Sequence, residues 1–554
     1  MNTQISVGSR LGRLWQKIVE WMPSPAPPAP WFTDDECRRL YDLQSAHLAG
    51  ALDEDTWQDL LLPQYVREVS ADASIFGQQV LYQRVRAGVA STQRHEDVQQ
   101  LRWMMADRAR LDALHETFAP LRKVDTEIAD VLFKDAVLPA VPGWLGILAG
   151  VPVLLLIAGL LLVYMPYTIA ATCGLAGAIG LLAMLVTMHM HYEATIERWN
   201  ATIRALCALG TTVARLAAFD DAMCRWFHDH RGQAGRMNRR LNRFPLPSLF
   251  LEKVRDYLDW FTLKKVRHYF KQIRQIDQAR EFLRATYLQC GNVEANVVLA
   301  RHLLEQARFC WAEPSSVKRI SVQDAVHPLL PGAKPLSLDS GNRGVFLTGQ
   351  NGIGKSTLLR TVGINAVTAR TFGFCYAAHA VMPELSIHAS MQSKDSLLQG
   401  ESLYIAELRR ARELLDPSGD GTSLYLIDEI FRGTNYLESV SAAAAYLHRL
   451  AERGIVIVSS HNTVLGPILA HQYASCYLAM DERTRQPVLL PGVVAKTNGI
   501  GLLTEHGFDD AVATDASKVF EWLSQYLAQP VGGACVLGEA RRKAVHADDC
   551  SATR

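Results

Sequence analysis

The sequence predicts an α/β domain in its C-terminal part, preceded by an all-α region that a two-helix transmembrane hairpin interrupts. Three observations predict this. Short apolar runs at 345–347, 423–427 and 455–458 each end in polar or acidic residues, as buried parallel strands do. From Asp35 to Lys134, and again from Tyr192 to Arg308, apolar residues recur at helical spacing with few Gly or Pro. Between Asp135 and His189 there is no Asp, Glu, Lys, Arg or His.

The chain has 554 residues, 49% hydrophobic and 20% charged, with a formal net charge of +1. At about 150 residues per unit that length implies roughly three to four structural units. The balanced charge excludes a basic protein that coats nucleic acid and an acidic disordered one, so an electrostatic site must be local. Ten cysteines with no CxxC pair argue against a disulfide framework and against a zinc site. They read as small buried residues in a reducing compartment.

Taken in order, residues 1–30 carry no secretory signal pattern and read as a frayed end followed by a Pro-rich linker. Residues 31–135 form the first part of the helical core or lever region. Residues 136–190 form the hairpin, with spans at about 144–164 and 168–188. Twenty steps from Trp144 to Tyr164 at about 1.5 Å each give about 30 Å, the thickness of a bilayer's hydrocarbon core. Met165-Pro166 breaks the two runs, Trp144, Tyr164 and Tyr167 sit at their ends, and Gly146, Gly150, Gly174, Gly177 and Gly180 offer close helix approach. Arg122, Lys123, Lys134, Arg198 and Arg204 flank the hairpin and no cation occupies its tip. This pattern expects a two-pass protein of the inner (cytoplasmic) membrane, with both termini and the C-terminal domain in the cytoplasm.

Residues 191–315 continue the helical region. Arg231, Arg236, Arg239, Arg240 and Arg243, and the run "KKVRHYFKQIR" from Lys264 to Arg274, are candidate contacts for nucleic-acid phosphates; solvated faces and patches near anionic lipid have the same composition. Residues 316–525 form the α/β domain and 526–554 a flexible tail.

The chemistry concentrates at "GVFLTGQNGIGKST". A short strand leads into Gly349-x4-Gly354-Lys355-Ser356 and then a helix, the order that a phosphate loop (P-loop) needs. Its backbone N–H groups curl around phosphates and the helix dipole points at them. The residues assigned to the nucleotide are Gly349, Gln350, Asn351, Gly352, Ile353, Gly354, Lys355, Ser356 and Thr357. Lys355 would reach the β- and γ-phosphates of ATP and the Ser356 hydroxyl would ligate Mg²⁺. "SLYLIDEI" is a buried strand ending in two acids, of which Asp428 suits the Mg²⁺ shell and Glu429 the attacking water. "IVIVSSH" ends in His461, a candidate γ-phosphate contact.

In the order "RISVQDAVHPLL", "TGQNGIGKSTLLRTVGINAV", "GESLYIAE", "IDEIFRGTN" and "PGVVAKTNGIGLLTEHGF", the stretch from about Lys318 to Phe508 resembles the ATPase domain of the MutS family of DNA mismatch repair proteins, within the ABC-type ATPases. The resemblance implies Mg²⁺-dependent ATP hydrolysis by a homodimer in which Ser402 of one chain completes the partner's site, with Glu407 at a second key position of that segment. It also implies DNA binding. Gln350 and Gly352 depart from the family's usual Pro and Met, Tyr404 stands where Phe is usual, and "NYLES" replaces the usual Asp-Gly ending. No Phe-x-Glu reading motif is present before Asp34, and the helices lead to apolar spans rather than to a DNA clamp. The resemblance therefore supports the ATPase engine more than a mismatch reader, and an ATP-driven machine acting on a membrane protein partner is the alternative. In either case the lipid bilayer is an expected partner.

Overall fold

The structure, a computed structural model, describes residues 32–45, 50–134, 139, 142–143, 150–164, 169–241, 260–391, 403–415, 422–481, 483, 486–494 and 510–526. The N-terminal segment, Trp144, Gly146, Tyr167, Arg243, Ser402 and the tail beyond Tyr526 lie outside them.

The first helical part contains α1 (Asp34–Gln44), α2 (Glu54–Asp59), α3 (Leu62–Val69), α4 (Ile75–Ala87), α5 (Ser91–Met105), α6 (Arg108–Thr117), α7 (Ala119–Arg122) and α8 (Ala129–Phe133). Local chemistry sets several starts. Thr33 and Glu36 form a reciprocal capping box on α1, and the Asp53 and Asp107 carboxylates cap α2 and α6.

Two apolar helices follow, α9 (Val151–Tyr164) and α10 (Ile169–Leu216). They pack on each other where a Cβ on Gly174 would lie 3.9 Å from the Ala158 carbonyl oxygen. Gly150, Gly177 and Gly180 face open space, so of the described glycines expected to close the hairpin, Gly174 alone does so. On α9, Val153, Leu156 and Val163 are exposed, as are Ile169, Leu175, Ile179 and Leu182 on α10. Among the described residues α10 is the one helix long and apolar enough to cross a membrane. The described part of α9 is 14 residues, shorter than the expected span at 144–164, whose first residues lie outside the described set. The boundary expected at 190 is a change of polarity and not of structure, because α10 continues unbroken for 48 residues. Nothing at 189–192 is a helix breaker.

The second helical part adds α11 (Arg225–Leu241), α12 (Lys264–Gln278) and α13 (Arg280–Glu305). α11 returns along α10, with Asn238 Nδ2 donating to the Cys207 carbonyl at 3.1 Å. Gln272 of α12 ties both, accepting from Trp199 Nε1 at 3.1 Å and donating to the Leu241 carbonyl at 3.1 Å. The core of the region is α4 against α13, although about 200 residues of chain separate them. At Gly291 a Cβ would sit 2.9 Å from the Phe76 carbonyl oxygen, so only glycine allows the two helices this close. Tyr287 fills the adjacent space against Phe76 and Phe133. The Glu294 carboxylate accepts from the Ser74 N–H at 3.0 Å and from its hydroxyl, taking the place of an N-cap for α4.

The α/β domain opens with β1 (Cys310–Trp311), β2 (Glu313–Ser315), β3 (Ser321–Ala325), β4 (Leu336–Asp339), β5 (Gly344–Gly349), α14 (Lys355–Phe372), β6 (Phe374–Cys375), β7 (His379–Pro383) and β8 (Ser386–Ser390). It continues with α15 (Leu403–Leu414), β9 (Ser423–Asp428), α16 (Tyr436–Ala451), β10 (Gly454–Ser459), α17 (Leu465–Ile468), β11 (Tyr473–Met480), β12 (Pro487–Pro491) and α18 (Asp510–Tyr526). The main sheet has the order β12-β11-β5-β10-β9-β8, parallel except for β12. A smaller sheet, β2-β7-β3-β4, lies beside it, and β1 pairs with β6. The edge of β8 is covered from the helical region: Ala389 N–H donates to Thr56 Oγ1 at 2.9 Å and Met391 N–H to Asp59 Oδ2 at 2.7 Å. Burial pushes the Asp59 carboxyl up to about 6 despite the Met391 bond.

Candidate active site

Three neighbouring parallel strands, β5, β10 and β9, end at one edge of the main sheet. Their last residues are Gly349, Ser459 and Asp428. This is the end at which a parallel sheet collects its ligands, because loops and helix N-termini converge there. From β5 the chain runs through Gln350, Asn351, Gly352 and Ile353 to Gly354, the N-cap of α14, at φ 107°. That backbone favours glycine, and it swings Lys355 and Ser356 into the first turn. The Lys355 ammonium is buried and donates to the carbonyls of Gly349 and Gln350, at 3.0 Å each. Burial lowers its pKa, and the nearby Glu429 and Asp428 carboxylates act in the opposite sense. Thr357 is half-buried in the same first turn.

Asp428 accepts from two hydroxyls, Ser356 on Oδ2 and Ser459 on Oδ1. A carboxylate and a hydroxyl meeting beside a phosphate loop make the hard-oxygen donor set that Mg²⁺ prefers, so the residues fit this ion. Glu429 follows at φ 57°, a left-handed backbone that is uncommon for a residue with a side chain, and its N–H donates to the Ser459 carbonyl at 2.9 Å. This turn points the carboxylate away from Asp428 toward other partners. Its Oε1 lies 2.9 Å from His461 Nε2 and its Oε2 lies 3.2 Å from Arg432 Nη1. The hydrogen bond from His461, with the charges of His461, Arg432 and Lys355, holds the Glu429 carboxyl below its ordinary value against the effect of burial.

α15 follows the segment that contains Ser402. Its Glu407 is buried and accepts from the Gly433 N–H at 3.4 Å, tying α15 to the Arg432-Gly433-Thr434 turn after the acid pair. A Cβ on Gly433 would lie 2.7 Å from the Tyr404 backbone nitrogen, so this glycine is required for the contact. Arg410 anchors the same helix to the helical region, donating to Asp53 Oδ1 at 2.9 Å, to Thr56 Oγ1 at 3.2 Å and to the Ala389 carbonyl.

A phosphate loop after β5, an acid pair at the end of β9 and a histidine just past the end of the intervening β10 define an ATPase domain of the P-loop class. Comparison with known families matches residues 345–524 to MutS domain V. Over 183 residues the chain is 33% identical to Endonuclease MutS2 of Thermus thermophilus, covering 32% of this chain and 23% of that protein. Over 239 residues it is 28% identical to DNA mismatch repair protein MutS of Thermotoga petrophila, covering 40% of this chain and 30% of that protein. The protein of the same name from Thermus aquaticus is 25% identical over 291 residues, 50% of this chain and 35% of that protein. The chain thus spans about a quarter to a third of the relatives it matches, and the likeness to MutS lies mainly in its ATPase domain.

The structure brings the loop residues, Asp428, Glu429 and His461 close together; Ser402 lies outside the described residues. His461 contacts Glu429, a partner that its place at a strand end did not reveal. Ser459 and Arg432 are further site residues. The signal for both was present, since each directly borders an assigned residue or motif, in "SSH" and "DEIFRGT".

Proposed function

We propose that this chain is a membrane-anchored, MutS-related ATPase that binds and hydrolyses ATP as a homodimer and acts on DNA. The observation that carries the ATPase reading is the Lys355, Ser356, Asp428, Glu429 and His461 cluster at the ends of three adjacent strands. In this reading the α14 N-terminus and Lys355 bind the β- and γ-phosphates. Ser356 and Asp428 would hold Mg²⁺, which neutralises charge on the phosphate oxygens. Glu429 accepts a proton from the attacking water, and each of its oxygens keeps a lone pair for this beyond the bonds to His461 and Arg432. Ser402 of the partner subunit would complete the site at the γ-phosphate.

The membrane reading is supported by the exposed apolar faces of α9 and α10 and by a parity argument. Residues before the apolar segment pack directly on residues after it: Arg84 donates to Asn296 at 2.8 Å, and Ser74 to Glu294. Both sides must therefore lie in one compartment, which an even number of crossings allows and a single one forbids. A hairpin of two spans meets the condition, and the flanking cations favour the cytoplasm for both termini.

DNA binding is supported by the names of the relatives and by α11, where Arg231, Arg236, Arg239 and Arg240 are exposed and make no ion pair with a described residue. The test is ATP hydrolysis by the full-length protein in lipid nanodiscs, with and without homoduplex, mismatched and branched DNA across a salt series. Stimulation that falls with salt is expected. Turnover unchanged by every DNA in an active preparation would reject the DNA role and favour the second reading, an ATP-driven machine acting on a membrane protein, for which the apolar hairpin is the supporting feature.

A further inference from the structure

We propose that the start of α12, with the aromatic side chains around it, forms a binding site for anionic phospholipid headgroups. The inference rests on the membrane reading above.

The charge-free part of α10 ends at Met188, where the hydrocarbon would end. Headgroup layers add about 5–8 Å on each side of a bilayer, and four further residues of helix rise about 6 Å. The headgroup level therefore coincides with His189 to Tyr192. At that level the structure sets the start of α12 beside α10: the Trp260 ring lies 4.8 Å from the His189 ring, and Tyr192 meets Tyr269 and Phe270. Trp260 and Phe261 are half-buried, each keeping part of its surface outside the helical core. Aromatic side chains so placed are the anchors of a membrane interface.

Cations begin at this level with Lys264 and Lys265 and continue along α12 away from the apolar span, where Gln272 meets Trp199. Lys264 and Lys265 begin α12, and Arg267, Lys271 and Arg274 follow before Asp277, the first acid of the helix. Lys265, Lys271 and Arg274 are exposed. Burial and the Lys265 ammonium both disfavour protonation of His189. The facing stretch of α10 carries Glu193, Glu197 and Arg198, too few acids to cancel the cluster. Continuity with the exposed apolar faces of α9 and α10 identifies the cluster's partner as lipid, and the sign of the charge selects an anionic headgroup.

The full-length protein, purified in detergent, is titrated with phosphatidylglycerol or phosphatidylcholine, and bound lipid is counted by native mass spectrometry. The wild type is expected to retain phosphatidylglycerol preferentially. At about 1 kcal/mol per lysine near an anionic surface, K264A/K265A should lose about 30-fold in phosphatidylglycerol affinity with phosphatidylcholine unchanged, and K264R/K265R should restore it. Retained ATP binding in K264A/K265A shows that the variant is folded. Equal binding of the two lipids by the wild type, or a preference that survives K264A/K265A, overturns the proposal. Alkaline carbonate extraction of cell membranes separates this failure from that of the membrane reading. Release of the wild-type protein overturns both, whereas retention without lipid preference overturns the headgroup site alone.

Discussion

Lys355 has a simple dependence on its surroundings: it is a buried cation whose two described acceptors are carbonyl oxygens of its own loop. Substitution by Ala removes the charge without disturbing the glycines that shape the loop, so Lys355→Ala should weaken ATP binding on the order of 10²-fold. Equilibrium binding of a fluorescent ATP analogue measures this, and wild-type affinity would remove the phosphate-loop assignment. His461 acts on Glu429 through the 2.9 Å contact. Its hydrogen bond is the largest influence holding the Glu429 carboxyl low. A base must be ionised to accept a proton, so turnover is present above the Glu429 pKa and lost as pH falls through it. In His461→Ala that pKa rises, and the acid limb of the kcat profile should move to higher pH. An unmoved limb would show that Glu429 is not the group titrating.

Among elements, the junction of α15 with the Arg432-Gly433-Thr434 turn connects the acid pair to the helix that follows Ser402. Gly433→Ala places a methyl against the Tyr404 backbone, which cannot yield without moving α15. Misplacement by about 1 Å costs on the order of 10²-fold in rate, so turnover should fall by about that much while ATP still binds. Unchanged turnover would mean that the α15 position is not used in hydrolysis. The α4–α13 pair makes a prediction of a different kind. Burial pushes the Glu294 carboxyl up to about 7, against the hydrogen bonds from Ser74. Its unfolded value is 4.5, so between the two the folded state binds more protons, and the stability contributed falls as pH rises from about 4.5 to about 7. Glu294→Gln removes this dependence, and its urea midpoint relative to wild type should be higher at pH 8 than at pH 5.5. A constant difference would place the Glu294 pKa outside that interval.

These elements also show what could be read in advance. The strands β5, β9 and β10 were legible because buried parallel strands appear as apolar runs, and a polar end to such a run has no use in a core. The phosphate loop was legible because its glycines and lysine are close in sequence. Arg410 with Asp53 was not, since 357 positions separate them and neither lies in a motif. The cover of α2 over β8 was hidden for the same reason. The change from apolar to charged composition near residue 190 marks a span end in the sequence, while the backbone of α10 runs on through it because no breaker is present.

For the whole molecule, the homodimer reading predicts that turnover and association are linked. Glu429→Gln leaves the phosphate loop and the Ser356 and Asp428 pair intact, so it should bind ATP, fail to hydrolyse it and accumulate as a dimer. Light scattering with and without ATP reads this directly. A variant that holds ATP as a monomer would remove Ser402 of a partner from the mechanism.

The packing of α4 on α13 also sets an order of events during synthesis. At about 5–20 residues per second, α13 leaves the ribosome about 10–40 s after α4. The apolar segment between them emerges in that interval, and in the membrane reading proposed above it enters the bilayer first. Until then the face of α4 that Gly291, Tyr287 and Glu294 later cover has no native partner, and α2 waits in the same way for the edge of β8. In that reading the nascent chain would be a client for chaperones at the membrane surface, and a ribosome stalled within the apolar segment would leave an exposed half-core tethered there.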